Sequence, residues 1–129
     1  MKYKKFSSSD TDSSYDVVII GSGMSGLCSG ALLSKQGKRC ILIEKHFKPG
    51  GYTHTFKRNE YEWDVGIHYV GDVHDVNSPS RKLFDYISEK RLEWNKMDDN
   101  YDTIVFPDEI YKFEAPRERF IERLTSRFP

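Results

Sequence analysis

Little in this sequence invites a disulfide, a membrane span or a polyanionic partner. Only two of its 129 residues are cysteine, Cys28 and Cys40. Both fall in segments that read as a buried helix and a buried strand, where a thiol serves as a small hydrophobe, so a reducing compartment is the default. No stretch approaches the roughly twenty apolar residues that a spanning helix needs. Residues 1–6 are basic, but residues 7–14 are polar and acidic where an export signal would carry an apolar run. The chain is therefore expected to be cytoplasmic or peripheral to a membrane. Twenty basic side chains balance twenty acidic ones, which removes the charge argument for nucleic acid or a strongly anionic surface. No metal centre is expected.

What is present is one domain's length of chain, 37% hydrophobic, enough to form a single core. Residues 1–14 read as a disordered tail, because serine and aspartate bury too little apolar area to offset chain entropy. Asp16-Val17-Val18-Ile19-Ile20 is a β-branched run of the kind found in a parallel strand covered on both faces. Met24, Leu27, Cys28, Ala31 and Leu32 recur at intervals of three and four, drawing one stripe along a helix that Gly37 stops. Residues 39–44 then form a second buried strand. Strand, helix and strand in this order require a right-handed crossover between parallel neighbours.

Further on, residues 52–57 and 61–65 read as extended segments around a turn at Asn59 and Glu60. Residues 80–91 carry Leu83, Phe84 and Ile87 on one helical face after a serine able to cap. Residues 103–106 and 110–113 resemble a hairpin, and a last helix from Pro116 places Phe120, Ile121, Leu124 and Phe128 inward. The expected fold is α/β: a partial Rossmann βαβ unit with added extended segments, a hairpin and two further helices.

The chemistry lies in Gly21-Ser22-Gly23-Met24-Ser25-Gly26, which follows a strand and opens a helix, the context that a dinucleotide fingerprint demands. Gly21 permits the tight turn, Gly23 lets backbone approach a pyrophosphate, and Gly26 allows close packing of helix on strand. Phosphates would sit at the helix N-terminus, where unpaired N–H groups favour an anion. Glu44 ends the second strand eighteen residues after Gly26, the usual place for a carboxylate that receives the adenosine ribose hydroxyls and repels a 2′-phosphate.

The glycines continue with Gly30 and Gly37, a pattern that resembles FAD-binding rather than NAD-binding Rossmann domains. Pro49-Gly50-Gly51-Tyr52-Thr53-His54-Thr55 resembles the double-glycine motif of the amine oxidase and phytoene desaturase superfamily. Glu44-Lys45-His46, Gly50-Gly51, His54-Thr55-Phe56 and Asp64-Val65-Gly66-Ile67-His68-Tyr69-Val70-Gly71 together closely resemble the retinol saturase (all-trans-retinol 13,14-reductase) family of FAD-dependent oxidoreductases. The match is firm over residues 15–71.

That resemblance implies tightly bound FAD, NAD(P)H as an electron donor, and reduction, desaturation or isomerisation of a retinoid or carotenoid. Gly21, Gly23, Ser25 and Gly26 would face the pyrophosphate, Glu44 the ribose, and Gly50, Gly51 and Thr55 the flavin side, with Ser22 and Lys45 also counted as cofactor-binding. Amine oxidases typically carry arginine where His46 and Tyr52 stand, which disfavours amine oxidation. His68 is a polar candidate near the flavin ring, beside the plainer reading of a packed structural histidine, and no catalytic residue is assigned.

Such flavoproteins are far longer, so the resemblance implies that residues 15–129 are the amino-terminal part of an FAD/NAD(P)-binding domain, a fragment or truncated product. Two other function classes stay open. One is a non-catalytic binding protein on the same fold, similar to the Rab GDP-dissociation inhibitors, although their glycine fingerprint is degraded and this one is intact. The other is an inactive fragment. An NAD-dependent dehydrogenase fits the core motif but leaves Gly50-Gly51 and residues 64–71 without a purpose.

Overall fold

The computed structural model describes Lys5, Ser7 and residues 14–129; the tail expected over residues 1–14 lies almost wholly outside the described residues. The chain is α/β and divides between Leu92 and Glu93 into two compact units, each with its own internal contacts.

In the first unit, β1 (Val17–Ile20), α1 (Met24–Lys35) and β2 (Cys40–Ile43) form the expected crossover. β1 and β2 are parallel and in register from Val17 opposite Cys40 to Ile20 opposite Ile43. The pair is pinned at both ends. At the start, Asp16 N–H donates to the Arg39 carbonyl and Arg39 N–H returns a bond to the Asp16 carboxylate at 2.7 Å. At the finish, Gly21 N–H reaches the Ile43 carbonyl at 2.7 Å.

α1 covers one face of this two-stranded sheet and leaves the other bare. Val17 and Ile19 are half-buried, whereas Val18 is 58% and Ile20 88% exposed. Coverage of β1 on both faces is thus not met, because a single helix can shield only one side of a pleated pair whose side chains alternate. Cys28 and Cys40 are free thiols and half-buried rather than buried. Instead of a single core, Val73 is the one buried hydrophobic residue among the described residues.

The double-glycine segment is not extended at its start. Gly51–Thr53 forms one 3-10 turn, entered through Gly50 at φ 122° and Gly51 at φ 58°, values that only glycine adopts without strain. β3 (Thr55–Arg58) and β4 (Tyr61–Asp64) then pair antiparallel, with Asn59 in the left-handed region at the turn. α2 runs from Pro79 to Ser88, one residue earlier at its start and three earlier at its end than the periodicity suggests. Ser78 caps it by accepting from Arg81 N–H, and Glu89 and Lys90 end it by turning left-handed at φ 57° and 59°.

The second unit consists of β5 (Asn100–Val105), β6 (Ile110–Glu114) and α3 (Arg117–Arg127). The hairpin is longer than the sequence pattern suggests, with an irregularity between Asn100 and Asp102. Of the four side chains expected inward on the last helix, Phe120 and Leu124 are half-buried, while Ile121 is 39% and Phe128 63% exposed. A two-stranded ribbon is too narrow to cover a stripe that wide.

Candidate functional site

The loop from β1 to α1 is shaped by contacts that only glycine allows. Gly21 holds φ 94°, and a Cβ on Gly26 would lie 2.2 Å from the Gly21 carbonyl oxygen. Gly30 likewise admits the Ile19 side chain, whose Cδ1 would be 3.2 Å from an added Cβ. Gly23 differs: nothing lies within 4 Å of its Cβ position. The space beside Gly23 is open.

Gly23 is also the N-cap of α1, with no side-chain cap and no acidic residue in the first turn. The first helical N–H groups and the positive end of the helix dipole thus meet no acidic side chain of their own turn, as a pyrophosphate would require. Ser25 is exposed in that first turn. These features fit the diphosphate of a dinucleotide.

Ser22 points the other way. It is fully buried, and both its N–H and its hydroxyl donate to Glu44 Oε2, at 2.6 and 2.5 Å. The second carboxylate oxygen of Glu44 accepts His46 N–H at 2.7 Å. Bonds to the charged form favour it, and the Ser22 hydroxyl, followed by the His46 and Ser22 N–H groups, holds the Glu44 carboxyl down to about 2. Glu44 is thus an oriented anion at the end of β2, beside the glycine loop. Lys45 is exposed next to it.

The second glycine motif closes onto the first. Gly50 N–H donates to the Ser22 carbonyl at 3.0 Å and to its hydroxyl oxygen at 3.2 Å. A Cβ on Gly51 would lie 3.0 Å from Gly23 Cα. The structure therefore brings Gly21, Ser22, Gly23, Glu44, Gly50 and Gly51 into one cluster, although almost thirty residues separate the two motifs. Thr55 lies one step away, where its hydroxyl accepts from Lys48 Nζ at 3.0 Å and donates to Glu62 at 2.5 Å. That donation, with Lys57 nearby, pulls the Glu62 carboxyl below the usual carboxylate range.

The segment after β4 is tied to the same loop. Val65 N–H donates to the His54 carbonyl, and Gly66 and Ile67 N–H groups donate to the Tyr52 carbonyl. Gly66 packs so tightly on the Tyr52 ring that a Cβ would approach Cδ1 to 2.9 Å. His68 is exposed and stands edge-on to Tyr69, with ring centroids 4.7 Å apart. Sequence reasoning missed Lys48, which bridges the double-glycine loop to β3 through the Thr55 carbonyl and hydroxyl. No motif marks it, since a lysine before a proline and two glycines reads as a solvated loop residue.

Residues 19–87 match the family described as NAD(P)-binding Rossmann-like domain. The chain is 39% identical over 128 residues, 96% of its length, to all-trans-retinol 13,14-reductase of Rattus norvegicus. It is 31% identical over 102 residues, 79% of its length, to a protein named inactive all-trans-retinol 13,14-reductase in Danio rerio. A flavin-containing amine oxidase of Danio rerio is 39% identical over 62 residues, 47% of the chain. The chain spans 21%, 17% and 12% of these relatives' own lengths, respectively.

Proposed function

This chain belongs to the NAD(P)-binding Rossmann-like domain family, and from that membership we propose that it carries the FAD-holding segment of a retinol saturase-like oxidoreductase. The substrate class is a conjugated apolar polyene, a retinoid or carotenoid, whose double bonds are reduced, desaturated or isomerised. The observation that carries this reading is the contact between the two glycine motifs, Gly50 N–H on Ser22 and Gly51 against Gly23. A fingerprint serving a nicotinamide cofactor alone has no need of the second motif.

In this reading residues 15–129 are the amino-terminal part of a larger FAD-binding domain. The N-terminus of α1, with Gly21, Gly23, Ser25 and Gly26, receives the pyrophosphate. Glu44 accepts the ribose hydroxyls, with Lys45 at the rim, and Gly50, Gly51 and Thr55 border the flavin side. When bound, FAD supplies the two-electron chemistry, and a nicotinamide is the proposed electron donor. The protein's part is to bind, orient and polarise. Because retinoids and carotenoids partition into lipid, peripheral attachment to a membrane belongs to the same proposal.

The deciding experiment is an absorbance spectrum of the purified chain with added FAD, for wild type and Gly23→Val. A valine there meets no protein atom within 4 Å of its Cβ, so the variant is expected to fold normally while losing flavin bands that wild type retains. Folded wild type without a bound flavin would overturn the reading, as would equal uptake by both chains.

A further inference from the structure

We infer that Ser22 is a positioning residue rather than a contact to the ligand: buried between Glu44 and Gly50, it locks the ribose carboxylate and the double-glycine loop into a single preassembled site. The inference rests on the proposed reading of the site and adds to it the way in which the two halves are joined. Ser22 is fully buried, so its side chain presents nothing to a bound molecule. All of its polar groups are used inward. The N–H and hydroxyl hold one oxygen of Glu44, while the carbonyl and the hydroxyl oxygen receive Gly50 N–H.

The hydroxyl is the only group in this set that donates to one motif and accepts from the other. An alanine would keep the backbone contacts and lose the relay. Glu44 Oε2 would then keep one donor of two from this loop, and its carboxylate would be free to rotate about its last torsion. Oε2 already accepts two bonds and Oε1 one, so a ribose hydroxyl can be met only at the open side of Oε1, which requires the carboxylate held in one orientation. The groups around Glu44 are few. Lys45 and His46, on its own loop, act on it through backbone N–H groups. On the double-glycine loop, Lys48 is committed to Thr55 and His54 Nδ1 to the Gly51 carbonyl.

Two measurements on the whole chain test this. The first needs no ligand: the Glu44 side-chain carboxyl is titrated by carbon NMR in wild type and Ser22→Ala. In wild type the group is expected to stay ionised down to about pH 2, and in the variant to move up toward the usual glutamate value of about 4.5. An ordinary titration in wild type overturns the inference even if the variant fails to fold, and so does a titration that Ser22→Ala leaves unmoved.

The second is FAD affinity across a cycle of Ser22→Ala and Glu44→Gln. Ser22→Ala is expected to weaken binding about tenfold beside Glu44 and less than about twofold beside the glutamine, because a residue acting through Glu44 loses its effect once that charge is gone. Equal losses in both backgrounds would reveal a merely structural serine and overturn the inference. A shifted titration with no flavin uptake by wild type would support the Ser22–Glu44 lock and sink the functional reading alone.

Discussion

In residues 17–51 the decisive contacts are made by backbone and by one small side chain, whereas in the Glu93–Pro129 unit they are made by rings. Glycine carbonyls, N–H groups and the buried Ser22 define the first region, and its large apolar side chains Val18, Ile20 and Ile43 are exposed. In the second, Phe113 packs on Phe120 at 5.3 Å between centroids and Tyr111 stacks with Phe128 at 6.4 Å. Arg123 to Glu114 at 2.9 Å and Arg127 to Glu109 add ion pairs at the edge. Where backbone meets backbone, as at Gly26, no side chain is tolerated. Aromatic packing is graded and specifies only that helix and hairpin stay together.

The sharpest break would come at Gly26. Its missing Cβ stands 2.2 Å from a backbone oxygen that cannot move aside, so Gly26→Ala is expected to cost about 3 kcal/mol, at the top of the range for overpacking. Urea unfolding followed by circular dichroism measures it. A loss below about 1 kcal/mol would mean that α1 slides freely on β1, and the contrast between rigid backbone and adaptable rings would collapse. Phe120→Ala is the matching test in the second unit. Because the ring is only half-buried, the expected loss is about 2 kcal/mol, below the usual cost of truncating a fully buried phenylalanine. Flavin retention should be unchanged, since no candidate site residue lies beyond Leu92; a lost flavin would show that the second unit takes part in the site.

The same contrast explains what could be read in advance. A glycine at a fixed spacing after a β-branched run leaves almost no choice of conformation, so the order and place of β1, α1 and β2 and the glycine turn between the first two were legible, though not their burial. The meeting of Gly51 with Gly23 was not foreseen: the resemblance put Gly51 on the flavin side and Gly23 at the pyrophosphate, and no local rule says where a loop returns. Ser22 was counted among the cofactor-binding residues of the fingerprint, and nothing in its neighbours reveals that it turns inward. Amphipathic patterning placed α2 and α3 but misjudged the depth of α3. Ile121 and Phe128 belong to the stripe, yet periodicity says which way a side chain points and not whether anything waits there.

The two helix starts of the first unit sharpen the comparison on a smaller scale. α1 begins at Gly23 with no side-chain cap, while α2 begins at Ser78, whose hydroxyl accepts Arg81 N–H at 3.1 Å. Ser78→Ala should therefore cost about 1 kcal/mol in thermal or urea unfolding, the usual price of a lost serine cap. No measurable loss would mean that the Arg81 pairing with Asp85 at 2.9 Å and its bond to the Val73 carbonyl suffice to start the helix.

The smallest effect expected is electrostatic. Lys35, in the last turn of α1, pairs with Glu89 at 2.9 Å and also lies over the Tyr86 ring, 5.4 Å from its centroid. The Lys35 bond lowers the Glu89 carboxyl below its ordinary value of 4.5. A carboxyl depressed in the folded state contributes stability that is present above its unfolded value and lost as pH falls through the folded one. The stability difference between wild type and Lys35→Ala should thus be small at pH 7 and shrink as the solution is acidified below about pH 4.5. It should also shrink with added salt, since exposed pairs are screened. Urea midpoints across that pH range decide between the two contacts of one lysine. A difference that survives at low pH would assign the stabilisation to the ammonium over Tyr86 rather than to the Glu89 pair, and α1 would then be held to α2 by a ring, as α3 is held to β6.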